Sequence, residues 1–293
     1  MKISEGYMSY LGHKTYYRTV GESKEGKKPL VLIHGGPGSA HNYFELLDDY
    51  AEDGRMIVMY DQIGCGNSLV TNRTDLWHAR TWIEELMALR THLGLDQVHL
   101  LGQSWGGMLL IAYLCDDQPN GILSAIFSST LPSAQLWKQE QRRMIKLMSE
   151  QEQKIIQVTE EKEDYDNPEY LAVNATYMRL HAADEVSEHS PEPLRRPKGS
   201  GAEAYLTAWG PNEYSPTGTL REFDYVERLS EIEIPVLLTS GTDDLSTPLI
   251  NKTMFDRLPN VSWELFAKSR HMPFLDEKEV YKQILIDWLN QHD

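Results

Sequence analysis

Short apolar runs alternate along the chain with longer amphipathic segments. Residues 7–20 alternate apolar and polar positions on either side of Gly12, which predicts two strands joined by a turn. Further apolar runs predict strands at 30–33, 56–60, 97–101, 125–128, 234–240 and 262–266. Helical periodicity covers about 41–53, 75–93 and 105–118. Because strands and helices alternate, the sequence predicts an α/β fold with a mostly parallel central sheet and helices on both faces.

The pattern changes after residue 132. Residues 135–165 are rich in Gln, Glu and Lys with aliphatic positions at helical spacing, 185–201 are polar and Pro-rich, and an aromatic stretch follows. We predict a helical cap inserted over the carboxyl edge of the sheet, since lids commonly arise from such insertions. A separate or partly disordered linker is the alternative, and the aliphatic and aromatic content argues against it. The predicted parts are core residues 1–132, cap residues 133–230 and core residues 231–293.

The strand at 97–101 leads into Gly102-Gln103-Ser104-Trp105-Gly106, and an apolar helix follows. A Gly-x-Ser-x-Gly turn between a strand and a helix is typical of a nucleophile elbow, which exposes the serine hydroxyl at the top of a sheet. A loop serine between two glycines is the alternative, and the flanking strand and helix argue against it. The pattern therefore predicts that Ser104 is a nucleophile.

A serine nucleophile of this kind needs an acid and then a histidine later in the chain. Of the four histidines after Ser104, His271 is the one that follows a strand-like run by a few loop residues. Open α/β sheets place their chemistry at such carboxyl ends. Gly241-Thr242-Asp243-Asp244 directly follows the 234–240 run, and either carboxylate could orient an imidazole.

The strand at 30–33 ends in His34-Gly35-Gly36-Pro37-Gly38. An HG-type loop after an early strand supplies one N–H of an oxyanion hole, and the residue after the nucleophile supplies the other. The predicted donors are the N–H groups of Gly36 and Trp105, and Gly35 is expected to contact the substrate. Two fixed donors suit acyl transfer, because the tetrahedral intermediate carries its charge on one oxygen.

Three motifs together resemble the proline iminopeptidases, which are serine aminopeptidases of the α/β-hydrolase fold that remove an N-terminal proline. The motifs are His34-Gly35-Gly36-Pro37-Gly38, Tyr60-Asp61-Gln62-x-Gly64-x-Gly66-x-Ser68 and Gly102-Gln103-Ser104-Trp105-Gly106-Gly107. The resemblance runs from about residue 7 to about residue 290. It is closest to the lactic-acid-bacterial branch, which also includes prolyl dipeptidases and broader aminopeptidases.

The resemblance implies a catalytic role for each matched position. Ser104 matches the nucleophile, His271 matches the base, and Asp244 matches the orienting acid in a Gly-x-x-Asp-x-x-x-Pro spacing. Asp243 is then expected to have a structural role in the turn. The mechanism implied is hydrolysis through an acyl-enzyme, with small peptides that have a free N-terminus as substrates.

The resemblance also implies a site for the substrate's amino terminus. Glu213 matches a glutamate that binds this amine. In some members a second glutamate directly follows the catalytic aspartate, and here that position is Leu245, which makes strict proline specificity less secure. The aromatic residues Tyr205, Trp209 and Tyr214 could wall the pyrrolidine pocket, and core packing explains them equally well.

Composition limits the other classes of function. The chain has 293 residues, 41% of them hydrophobic, and a net charge of −16. This acidic balance argues against binding to nucleic acid or to anionic membranes, both of which attract basic patches. No metal-ligand spacing and no complete phosphate or dinucleotide fingerprint is present, so we expect no metal and no cofactor.

The two cysteines, Cys65 and Cys115, are too few for a disulfide framework and fit a reducing cytoplasm. No apolar signal region opens the chain and no run approaches 18 apolar residues, so we expect a cytoplasmic location. Cys65 follows the strand at 56–60, at the edge of the sheet expected to border the active site. Its thiol could therefore make the enzyme sensitive to thiol reagents without being catalytic.

Two other functions remain open from the sequence. A carboxylesterase or amidase of the same fold could act on a small non-peptide substrate with the same serine, acid and histidine. A catalytically inactive binding protein on this fold is a second possibility, although such proteins usually lose one of those three residues and here all are present. The sequence does not indicate an oligomeric state.

Overall fold

The computed structural model describes residues 1–293 and contains one eight-stranded sheet flanked by helices. The strands are β1 Ile3–Tyr10, β2 His13–Val20, β3 Leu30–Ile33, β4 Ile57–Tyr60, β5 Val98–Gln103, β6 Ile122–Ser128, β7 Val236–Gly241 and β8 Val261–Phe266. The α-helices are α1 Ala79–His92, α2 Trp105–Asp116, α3 Ala134–Ile145, α4 Glu150–Lys162, α5 Pro168–His181, α6 Glu192–Arg195, α7 Ala202–Ala208, α8 Pro248–Phe255, α9 Pro273–Asp276 and α10 Lys278–His292.

The strand order is β1-β2-β4-β3-β5-β6-β7-β8. β1 and β2 form the predicted hairpin, in which Leu11 and Gly12 both have positive φ, as a tight primed turn requires. β2 also pairs antiparallel with β4, and all pairs from β4 to β8 are parallel. The predicted mostly parallel sheet is therefore confirmed, and the carboxyl ends of its parallel strands meet at one edge.

Both faces of the sheet are covered, because successive side chains of a strand point to opposite sides. In β3, Val31 and Ile33 join a cluster of 50 buried residues that includes residues of α1 and α2. Leu30 and Leu32 join a second cluster of 18 buried residues, which includes residues of α10. The helix that follows the serine turn, α2, is buried at every residue from Trp105 to Cys115.

Helices α3 to α7 come between β6 and β7, where the chain leaves the sheet. The predicted helical stretch 135–165 forms two helices, because Ser149 begins a new one with a capping box that includes Glu152. Asn167 caps α5, and Pro168 occupies its first turn. The Pro-rich residues 185–201 contain only the short helix α6.

Two predicted helices differ in form. Residues His41–Asp53 form a 3-10 helix that ends at Gly54 in a left-handed conformation. The segment predicted to be helical over 75–93 begins with a 3-10 turn, Thr74–Leu76, and becomes α-helical at Ala79. None of the helices combines the length and apolar character needed to cross a lipid bilayer.

Candidate active site

Ser104 lies in the sharp turn between β5 and α2, with φ 54° and ψ −121°. This strained conformation is held by close packing on either side. A Cβ on Gly102 would lie 2.3 Å from the carbonyl oxygen of Gly106, and one on Gly106 would lie 2.0 Å from the carbonyl oxygen of Ile33. Only glycine fits at these two positions, so the turn is the strand–turn–helix geometry expected of a nucleophile elbow.

Asp244 and His271 meet at the same edge of the sheet. Asp244 Oδ1 lies 2.6 Å from His271 Nδ1. The Asp244 carboxylate is buried and also accepts hydrogen bonds from the N–H groups of Ser246 and Gly241. Asp243 is exposed, and its carbonyl oxygen lies 3.0 Å from Nδ1 of His181. Of the two aspartates that follow β7, the structure brings Asp244 to the histidine.

The surroundings of His271 favour its protonated form. Burial lowers the pKa of the imidazole, but the charge of Asp244, its hydrogen bond and the charge of Glu213 together raise the pKa above 6.5. With Nδ1 bonded to Asp244, Nε2 is the acceptor of the neutral ring. His271 and Ser104 line the same cavity, although their side chains form no hydrogen bond to each other in this structure.

The N–H groups of Gly36 and Trp105 have no acceptor within the protein. Trp105 is the first residue of α2, so its N–H lies at the positive end of a helix dipole. Gly36 lines the cavity beside Ser104. Two unused donors, one on the residue after Ser104 and one in a loop that lines the same cavity, suit an oxyanion.

Gln62 connects the two loops that carry these donors, and its role was missed in the sequence. Its Oε1 accepts a hydrogen bond from Trp105 Nε1 at 2.8 Å, and its Nε2 donates to the carbonyl of His34 at 2.8 Å. Its own N–H donates to His34 Nε2 at 3.0 Å. Burial lowers the pKa of His34 to about 4, so this ring is neutral and accepts that bond.

A second chain of hydrogen bonds holds the glycine loop to the histidine. The Gly35 N–H donates to Tyr43 Oη at 2.7 Å, and Tyr43 Oη donates to Gln103 Oε1 at 2.9 Å. Gln103 Nε2 then donates to the carbonyl of His271 at 3.3 Å. Gly35 does not line the cavity, and its N–H is already used, so it positions the loop instead of contacting substrate as expected.

The cavity above Ser104 has a volume of about 680 Å³, and Glu213 is the one carboxylate residue that lines it. Tyr205 Oη donates to Glu213 Oε1 at 2.8 Å, and Trp137 Nε1 donates to the Glu213 carbonyl at 2.7 Å. Burial raises the pKa of Glu213, while the Tyr205 hydrogen bond and the His271 charge oppose that rise. Leu245 lines the cavity where a second carboxylate could have stood.

A family model described as alpha/beta hydrolase fold matches residues 28–278. The chain is 57% identical over 293 residues to a proline iminopeptidase of Clostridium botulinum, a match that covers 100% of both chains. It is 54% identical to a proline iminopeptidase of Levilactobacillus brevis, over 100% of this chain and 98% of that one. This chain belongs to the proline iminopeptidase family. It is accordingly a serine hydrolase and an aminopeptidase.

Solved structures agree with membership of the proline iminopeptidase family. The crystal structure of a proline iminopeptidase from Mycobacterium smegmatis is 28% identical, with a TM-score of 0.87 over 99% of this chain and 98% of that one. The crystal structure of VinJ is 30% identical, with a TM-score of 0.90 over 99% of both chains. The predicted α/β-hydrolase fold with inserted helices is therefore confirmed.

The three aromatic residues predicted for the proline pocket of this family member differ in position. Tyr205 lines the cavity. Trp209 and Tyr214 do not line it: Trp209 packs edge-on against Trp137, and Tyr214 Oη donates to Tyr170 Oη at 2.9 Å. Trp209 and Tyr214 therefore fit the alternative interpretation, in which they pack in the core. Trp137, which lies edge-on to the His271 ring, reaches the site from α3 without any signal in the sequence.

Cys65 lies under the glycine loop of this proline iminopeptidase family member and is fully buried. Its Sγ donates to the carbonyl of Gln62 at 3.1 Å, and burial raises the pKa of the thiol well above its ordinary value. A buried, protonated thiol is a poor nucleophile. The expected sensitivity to thiol reagents therefore has no support in the geometry.

Proposed function

We propose that this enzyme releases N-terminal proline, or another small N-terminal residue, from small peptides through an acyl-enzyme on Ser104. The observation that carries the proposal is Glu213, the only carboxylate residue lining the cavity that also contains Ser104 and His271. A carboxylate at that place attracts a cationic amine. It therefore selects substrates in which a free amino terminus lies close to the scissile bond.

The proposed chemistry follows from the positions of three side chains. Nε2 of His271 takes the Ser104 proton as the hydroxyl attacks the carbonyl of the first residue. Asp244 holds the ring in the correct tautomer and stabilises its cation. The imidazolium then protonates the leaving amine, so the peptide bond breaks and an ester to Ser104 remains. Water, deprotonated by His271, hydrolyses that ester and releases the amino acid and the serine hydroxyl.

The N–H groups of Gly36 and Trp105 are the proposed donors to the oxyanion. Each such donor stabilises the transition state by about 3 kcal/mol. Their positions depend on Gln62, because its amide is bonded to both the His34 loop and the Trp105 ring. The hydrogen bonds of Gln62 thus support a geometry that is already in place before substrate binds.

We propose that residues 133–230 form a cap over the carboxyl edge of the sheet, between core residues 1–132 and 231–293. Residues from this range, including Met178, Lys198, Tyr205 and Glu213, line the cavity together with Gly36, Ser104 and His271 of the core. This division assigns acyl transfer to the core and recognition of the substrate's amine to the cap.

A cytoplasmic location is also part of the proposal. Its support is the chemistry of the cysteines, since Cys65 and Cys115 are both free and buried. Cell fractionation with detection of the native chain tests this directly, and recovery outside the cytoplasmic fraction would contradict it.

A substrate comparison tests the proposed function against the esterase alternative. The wild-type enzyme should hydrolyse proline p-nitroanilide with a higher kcat/KM than p-nitrophenyl acetate, although the ester is chemically the easier substrate. A fluorophosphonate probe should label Ser104. Efficient ester hydrolysis without proline amide hydrolysis favours a carboxylesterase, and absence of labelling favours a binding protein.

Replacing Glu213 by glutamine should lower kcat/KM for proline p-nitroanilide by roughly 100-fold. Removing one partner of a partly desolvated charge pair costs about 3 kcal/mol, and 1.36 kcal/mol corresponds to a factor of ten. Turnover of p-nitrophenyl acetate, which has no amine, should fall much less. The Glu213 charge helps to raise the pKa of His271. In the variant, the acid limb of the pH–rate profile measured with the ester should therefore move to lower pH.

Glu222→Gln is the matched control for this measurement. The Glu222 side chain is exposed, so its loss of charge should leave both substrates near wild-type rates. Equal losses on amide and ester in Glu213→Gln, with no shift of the acid limb, would remove Glu213 from amine recognition and assign it a structural role.

A further inference from the structure

Lys198 is the one lysine or arginine that lines the active-site cavity. The segment that carries it is packed against two loops, the loop after β4 and the glycine loop His34–Gly38. The Gly66 N–H donates to the Gly199 carbonyl at 3.0 Å, and a Cβ on Gly201 would lie 2.4 Å from the Cα of Gly38. These close contacts fix Lys198 on the glycine-loop side of the cavity, whereas Glu213 belongs to the cap residues beyond α7.

The Lys198 ammonium has no hydrogen bond and no ion pair, although the chain has 44 acidic residues. Its neighbour Arg196 is fully engaged, with bonds to Glu45 at 2.7 Å and Glu192 at 2.6 Å. The carboxylate of Asp61 below the loop is already hydrogen-bonded to the His41 ring and to the N–H of Asn67. Lys198 is exposed, lines both this cavity and a neighbouring pocket that includes Glu5, and has no carboxylate within ion-pair distance.

The charge of Lys198 acts electrostatically on buried residues beneath the cavity. It contributes to lowering the pKa of His34, and it opposes the rise that burial causes in the pKa of Cys65. Both of these residues are fully buried beneath the glycine loop. An anion bound beside this loop would feel the same charge.

Two hydroxyl groups next to the Gly38–Gly201 contact also line the cavity. Ser39 and Ser200 both line it, and neither hydroxyl forms a hydrogen bond within the protein. An ammonium with two free hydroxyl donors suits a carboxylate, whose two oxygens accept several hydrogen bonds at once.

We propose that Lys198, with Ser39 and Ser200, binds the terminal carboxylate of the peptide, so that the enzyme prefers short peptides charged at both ends. The assignment rests on the proposed function, because it requires the amine at Glu213 and the scissile carbonyl at Ser104. With those two groups placed, the leaving portion of the substrate extends away from Glu213 along the cavity. Its carboxylate then meets Lys198, the only lysine or arginine that lines the cavity.

The proposal predicts that the preference for a free terminal carboxylate depends on peptide length. Each residue adds at most about 3.3–3.6 Å of extended chain, so a terminal carboxylate reaches Lys198 at one length better than at others. The experiment measures proline release from Pro-Gly, Pro-Gly-Gly and Pro-Gly-Gly-Gly, each as the free acid and as the C-terminal amide. At the best length, wild type should prefer the acid by roughly fivefold to tenfold in kcat/KM, mainly through KM.

The same peptide acids and amides, measured with variants of Lys198, test whether this lysine causes the preference for the acid. In Lys198→Met the ratio of acid to amide should fall to about one, and Lys198→Arg should retain most of it. Lys154→Met is the control with the same change in net charge, since Lys154 is exposed on α4 and does not line the cavity, and it should keep the wild-type ratio.

Two results would overturn the assignment. One is equal rates for acid and amide at every length in the wild type, and the other is an unchanged ratio in Lys198→Met. Release of proline from none of these peptides would instead contradict the proposed function itself, so the two failures are distinguishable.

Discussion

Replacing Ser104 by alanine is expected to lower kcat for proline p-nitroanilide by about 10⁶-fold. The hydroxyl is the only group in the cavity that is placed in an elbow turn, so its removal leaves no nucleophile for an acyl-enzyme. The proposed oxyanion donors and the binding site remain in the variant. A small residual acceleration over the reaction in water should therefore persist.

Measurement of thermal unfolding provides the control for Ser104→Ala. The Ser104 side chain forms no hydrogen bond with the protein, while its backbone bonds to Ser128 and Gly107 do not depend on the hydroxyl. The melting temperature should stay close to that of the wild type. Turnover near the wild-type rate in a folded variant would contradict the serine mechanism.

Replacing Asp244 by asparagine should lower kcat by about 10⁴-fold, the loss that follows when the histidine of such a triad is held in the wrong tautomer. The asparagine amide can donate to Nδ1, which leaves the proton on Nε2, where the ring must accept one. The measurement is kcat for proline p-nitroanilide, with circular dichroism to show that the fold is retained.

The adjacent aspartate offers a matched control. Asp243 has the same charge and lies in the same loop, but its side chain is exposed and forms no bond to His271. Asp243→Asn should retain wild-type turnover within about twofold, as expected of a surface substitution. A large loss in Asp243→Asn with little change in Asp244→Asn would reverse the assignment of the acid.

The candidate catalytic residues were predictable because their sequence signals are local. The elbow lies between a strand and a helix whose periodicities are plain, and the candidate acid and histidine each follow a strand-like run. The supporting network was not predictable in this way. Gln103 bonds to His271 across 168 positions of sequence, and Gln62 bonds to Trp105 across 43. Both glutamines stand within recognisable motifs, but nothing local indicates which groups they contact.

The cap was harder to predict than the core, since its residues depend on tertiary packing. Tyr205 and Tyr214 have the same local aromatic character, yet one reaches the cavity and the other is buried against Tyr170. The unpaired state of Lys198 likewise depends on where the carboxylates of distant segments lie. Glu213 was identified through the family resemblance, and its hydrogen bond with Tyr205 became visible only in the structure.

The central claim is that a free amino terminus, held by Glu213, directs Ser104 to the first peptide bond. Proline release by the wild-type enzyme from Pro-Gly-Gly and from N-acetyl-Pro-Gly-Gly tests it most directly. The account predicts free proline from the first peptide and no acetylproline from the second, because acetylation removes the charge that Glu213 binds. Comparable hydrolysis of both peptides, or hydrolysis of the acetylated one alone, would contradict it.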